Sequence, residues 1–115
     1  MSFMRFRRGL AVAVAVVLAS TVASADEPVR IGLIEPFSGP IAAVGRDTLE
    51  GYEFFANEIN TRGGVLGGRH IEIVPLDNAM NAEKTTQMLR KAVDDGLRFI
   101  SQGVGSNHAL NIIKF

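Results

Sequence analysis

The chain contains no cysteine and no tryptophan. Without cysteine there is no disulfide framework, no thiolate nucleophile, no Cys-built zinc site and no lipoprotein anchor. Neither sign of charge is in excess, because twelve Lys and Arg residues stand against twelve Asp and Glu. No basic stripe interleaves with aromatic residues, so nucleic acid is not an expected partner. The apolar stretch Leu10–Leu18 falls well short of the ~20 residues that cross a bilayer. With 47% hydrophobic and 21% charged residues, the composition still predicts a folded core. A length of 115 residues allows one small domain or less.

The first 25 residues have the three parts of a secretory leader. Arg5, Arg7 and Arg8 form a basic segment, Leu10–Leu18 an apolar one, and Ala23-Ser24-Ala25 a small-residue cleavage site. Residues 1–25 are therefore expected to be a cleaved signal peptide, and 26–115 the exported, periplasmic part. Ser20, Thr21 and Ser24 dilute the apolar stretch and argue against an uncleaved anchor. Loss of the leader arginines leaves a mildly acidic product. The Arg7-Arg8 pair does not choose between the general and twin-arginine export routes.

Strand and helix signals then alternate. Val29–Glu35 is an apolar run of strand length, ended by Pro36 and the Ser38-Gly39-Pro40 turn. From about Arg46 to Thr61, Leu49, Tyr52, Ala56 and Ile59 recur at helical spacing, and the stripe Leu49, Tyr52, Phe55, Ile59 is expected in the core. Gly63 supplies a left-handed stop. Arg69–Asp77 reads as a second strand, and Asn81 as the N-cap of a second helix. That helix is expected to bury Thr85, Met88, Leu89, Ala92 and Val93 and to close at Gly96. Leu97–Ser101 is the third strand, Gly103–Asn107 a Gly-rich loop, and His108–Phe115 the start of a third helix.

This alternation predicts an α/β fold, a three-layer arrangement of a parallel sheet in order 2-1-3 with helices on both faces. Ligands of such sheets sit beyond the carboxyl ends of the strands where the order reverses. Two loops are thereby selected, Pro36–Gly45 and Gly103–Asn107. The second offers backbone N–H groups at a helix start, which suits an anionic or zwitterionic small molecule. Sharper chemistries fail. His108 stands where a dinucleotide fingerprint beginning at Gly103 needs its last glycine, and there is no phosphate-binding loop signature or serine-nucleophile elbow. His70 and His108 are isolated, so no metal, no cofactor and no enzyme activity is expected.

The segments IGLIEPFSGPIAAVG, GYEFFANEINTRGGVLGGRHIEIVPLDN and DDGLRFISQGVGSN together resemble the N-terminal lobe of the periplasmic leucine/isoleucine/valine-type solute-binding proteins. The resemblance covers essentially all of residues 26–115. It implies part of lobe 1 of a type I, two-lobed binder that captures a small solute by hinge closure and hands it to an ABC permease. It also implies that Ser106 contacts the ligand carboxylate, with Val104 and Gly105 as pocket backbone positions and Ser38 near the cleft. Val44 stands where leucine binders of the family resemble one another in placing Tyr over the ligand side chain. The loop from Gln102 to Asn107 also resembles relatives that bind aromatic carboxylates.

Simpler roles exist for each residue. Ser106 is a suitable helix cap, Ser38 and Gly39 fit an ordinary turn, Val44 is a candidate for buried filler, and Asp77-Asn78 reads as strand-end punctuation. Branched-chain amino acids or related small carboxylates are the expected solutes. The alternatives are a ligand-sensing receptor domain and an inactive truncated product. The family's fourth strand, hinge and second lobe have no counterpart before Phe115, so weak binding, uncovered sheet edges and low stability are expected.

Overall fold

Val29–Glu35 forms β1 over the run that the sequence marks as the first strand. The computed structural model describes residues 27–115, and the expected leader lies outside the described residues. After β1 come α1 (Ala42–Thr61), β2 (Ile71–Asp77), α2 (Ala82–Asp94), β3 (Phe99–Gln102) and α3 (Ser106–Ile113). The three strands are parallel in the order β2-β1-β3, as expected. Val29 registers with Ile71 and Glu35 with Asp77, so β1 and β2 end level. β3 joins the other side of β1, with Ile31 opposite Phe99 and Ile34 opposite Gln102.

Helices cover both faces. On one face Ile34, Leu76, Leu89, Ala92 and Leu97 form a buried cluster, with Val74, Met88, Ile100 and Ile112 packed against it. Full burial of each large side chain there contributes roughly 1.5–3 kcal/mol. α1 lies over the opposite face, where Tyr52 Oη meets Ser101 Oγ at 2.6 Å and Ala56 is buried. The contact is looser, and a groove of about 450 Å³ remains between α1 and the sheet, lined in part by Ile31, Tyr52, Ile59, Ile71 and Ile73. That looseness corrects one expectation: Phe55 is 65% exposed and sits at the groove mouth. Val93 is corrected too, at 50% exposed, because α2 buries the narrower stripe of Thr85, Leu89 and Ala92.

Helix ends follow local chemistry where a signal exists. Asn81 caps α2 as expected, its Oδ1 accepting from Lys84 N at 2.8 Å. Gly63 takes φ +105° after α1, a conformation disfavoured for side-chain-bearing residues. α1 begins four residues earlier than the periodicity indicates, at Ala42. Its N-cap Ile41 makes no side-chain cap bond, so nothing local announces the start. α3 likewise begins at Ser106 and not at His108, with Gly105 as its N-cap.

One side chain holds the start of β2. Asn60 Nδ2 donates to the Ile71 carbonyl at 2.9 Å, and Ile71 N donates to Asn60 Oδ1 at 2.7 Å. The amide thus imitates a neighbouring strand on the side of β2 away from β1. Asn60→Ala is expected to lower stability by about 2 kcal/mol, because it orphans a partly buried donor and acceptor. Urea unfolding followed by circular dichroism measures this, and an unchanged midpoint would refute it.

Candidate functional site

The carboxyl ends of β1, β2 and β3 bring together three short connections: Pro36–Ile41, Asn78–Asn81 and Gly103–Gly105. Each is tied down by polar groups. Asp77, the last residue of β2, binds the first connection. Its Oδ1 accepts from the Phe37 amide at 2.9 Å and its Oδ2 from the Ser38 hydroxyl at 2.7 Å. The same carboxylate accepts from the Ala79 amide at 2.8 Å and from Lys84 Nζ at 3.2 Å. Partial burial pushes this carboxyl up. The hydrogen bonds from Ser38, Ala79, Lys84 and Phe37 outweigh that and hold it well below the usual carboxylate range.

Glu35, the last residue of β1, is fully buried and binds the third connection. Oε1 accepts from the Gly103 amide, and Oε2 from the Val104 amide at 3.2 Å. Burial pushes the Glu35 carboxyl above its ordinary value, against the pull of the two amides. From β3, Gln102 Nε2 donates to the carbonyls of Val104 and Gly105. A Cβ on Gly105, at φ +92°, would come within 3.2 Å of Met80 Cε and 2.5 Å of His108 Cδ2. Loop and helix start therefore have little freedom.

A buried polar chain joins the second connection to α3. Thr85 Oγ1 donates to the Asn81 carbonyl at 2.8 Å and accepts from Asn78 Nδ2 at 3.1 Å. His108 Nδ1 lies 3.1 Å from the same hydroxyl. With its single proton on Asn81, the hydroxyl accepts from an Nδ1–H imidazole, an assignment made from the network. Ala79 and Met80 both have positive φ, 47° and 57°, and this turn is held by the Asp77 and Asn78 side chains.

At the α3 start, the His108 and Ala109 amides turn back to the Gly105 carbonyl. The amides of the exposed Ser106 and of Asn107 have no hydrogen-bond acceptor among the described residues. Two N–H groups, the Ser106 hydroxyl and the helix dipole thus face outward together, an arrangement suited to a carboxylate.

A family model described as periplasmic binding protein matches residues 28–115. The chain belongs to the periplasmic binding protein family. Among curated relatives it is 34% identical over 88 residues to the Leu/Ile/Val-binding protein BraC3 of Rhizobium johnstonii, covering 76% of this chain and 24% of that one. It is 28% identical over 74 residues to the Leu/Ile/Val-binding protein of Escherichia coli, covering 64% and 20%. In structure it is similar to the closed leucine-, isoleucine-, valine-, threonine- and alanine-binding protein of Brucella ovis, with TM-score 0.68, 31% identity and coverage of 76% and 22%. A benzoate-bound solute-binding protein of an ABC transporter from R. palustris gives TM-score 0.63 and 28% identity, covering 76% and 24%. The chain thus spans about a quarter of the length of the relatives it matches.

Within this periplasmic binding protein chain, the five residues singled out from sequence fall on two of the three connections or just beyond them. Ser106 is exposed on the first turn of α3, and the simpler alternative of a helix cap does not apply because Gly105 occupies the N-cap without a side-chain bond. Val104 and Gly105 are half-buried in the loop that Glu35 and Gln102 hold. Ser38 is exposed and tied to Asp77. Val44 is 46% exposed on the first turn of α1, so it is not buried filler. Sequence reasoning gives Glu35 no role, reads Asp77-Asn78 as strand-end punctuation, places Thr85 only on a buried helix face and treats His108 as isolated. The one available signal was an acidic residue closing each of two adjacent apolar strands.

Proposed function

We propose that this chain supplies one wall of an extracytoplasmic solute site, and that the solute is a branched-chain amino acid or a related small carboxylate. The reading extends to a non-enzymatic, periplasmic binding subunit that delivers its solute to an ABC permease. The observation that carries it is the outward-facing group of Ser106 hydroxyl and unbonded Ser106 and Asn107 amides at the start of α3. A carboxylate bound there accepts charge-assisted hydrogen bonds at the positive end of a helix. Relatives named for leucine, isoleucine and valine, together with a neighbour holding benzoate, support a carboxylate as the shared chemistry.

The test is a calorimetric titration of the full chain with leucine, isoleucine, valine and benzoate, repeated on Ser106→Ala. Loss of one hydrogen bond to a charged group corresponds to about 1.5–3 kcal/mol, so at least a tenfold rise in Kd is expected. Binding unchanged by Ser106→Ala would overturn the assignment of this helix start as the carboxylate site.

A further inference from the structure

We infer that Glu35 is a positioning residue, a buried latch that fixes the Gly103–Ser106 loop in the shape that presents Ser106 to the solute. The inference rests on the solute-site reading above. The Gly103 and Val104 amides donate to separate oxygens of one carboxylate, so the loop is gripped at two successive residues. Gln102 takes the Val104 and Gly105 carbonyls from the other side. Donors and acceptors of the loop backbone are therefore bound by two different strands, β1 and β3. A Cβ at residue 103 would displace the Glu35 carboxylate, so glycine there leaves room for the grip.

The position of Glu35 explains why the grip reaches the site. β1 is the central strand, and its end lies between the end of β2, which holds the Ser38 connection through Asp77, and the loop leading to Ser106. No solvent reaches the carboxylate, and each oxygen is matched by one amide hydrogen. A neutral glutamine of the same shape has only one accepting oxygen. Its NH₂ group would face an amide N–H, so one of the two grips is lost while the volume is kept.

The deciding experiment compares the wild-type full chain, Glu35→Gln, Ser106→Ala and the double variant. Amide hydrogen exchange at Gly103 and Val104 is expected to accelerate at least tenfold in Glu35→Gln, with the β1–β2 ladder unchanged. Affinity for leucine or benzoate is expected to fall about tenfold in Glu35→Gln and by less than twofold when Ser106 is already alanine. That non-additivity is the mark of action through Ser106. Unchanged exchange at both amides would overturn the latch, as would a full loss of affinity repeated in the Ser106→Ala background. If exchange accelerates but Ser106→Ala leaves affinity intact, the latch stands and the solute-site reading fails.

Discussion

Replacing Asp77 by alanine is expected to lower stability by about 3 kcal/mol and to free the Ser38 connection. Four donors lose their acceptor at once: the Phe37 and Ala79 amides, the Ser38 hydroxyl and Lys84 Nζ. Each orphaned, partly buried amide costs about 1 kcal/mol or more, and the exposed Ser38 hydroxyl and half-exposed Lys84 ammonium cost less because water replaces the carboxylate. Shifts in small domains run at roughly 4–8 °C per kcal/mol, so the melting temperature should fall by more than about 10 °C. The pH dependence has a definite sign. A depressed carboxyl adds stability that is complete above its unfolded value, 3.8 for Asp77, and is lost as pH falls through the folded value. The gap between wild type and Asp77→Ala should therefore be widest near neutrality and begin to narrow only as pH falls below about 3.8. Differential scanning fluorimetry from neutral to acid pH measures it, and a gap that widens on acidification would contradict the assignment.

Gly45→Ala is expected to have a comparable effect through sterics. Gly45 is buried within α1, where a Cβ would sit 2.8 Å from the Pro36 carbonyl carbon and 3.3 Å from Phe37 Cδ1. Pro36 is itself fully buried, so the obstacle is backbone that has no room to yield. Overpacking of this kind costs typically 1–3 kcal/mol, and the rigid neighbour places this site at the upper end. Relief requires α1 to move away from the first connection, the one that carries Ser38. Chemical denaturation should show the loss, and amide exchange at Phe37 should accelerate with it. A variant with wild-type stability would mean that α1 and Pro36 separate without penalty.

Much of the fold is legible because its signals are local. Val29–Glu35 reads as a strand from seven consecutive residues, and Asn81 caps α2 through a bond to Lys84 three positions on. Parallel order then follows from crossover geometry. The start of α1 is not legible, since Ile41 gives the helix no capping signal. Helical spacing likewise identified the α1 and α2 stripes but not their centres, which is why Phe55 and Val93 were expected inside. The site is legible only in part. Ser106 and Ser38 lie in loops that topology selects, whereas Glu35 and Asp77 act on partners 68 and 40 residues away. In sequence, an acid closing a strand is indistinguishable from a solvated turn residue. Only the register that sets Glu35 beside Asp77 shows two carboxylates fastening different connections.

The Asn60 clamp on Ile71 also bears on how this protein meets other copies of itself. Among the described residues β2 is an outer strand of its sheet, and an outer strand with free N–H and C=O groups is a template on which a foreign strand can add. By occupying both groups of the first residue of β2, the Asn60 amide denies an incoming chain its first pair of ladder bonds. The Asn60 side chain thereby shields the beginning of an open sheet edge as well as fixing where β2 starts.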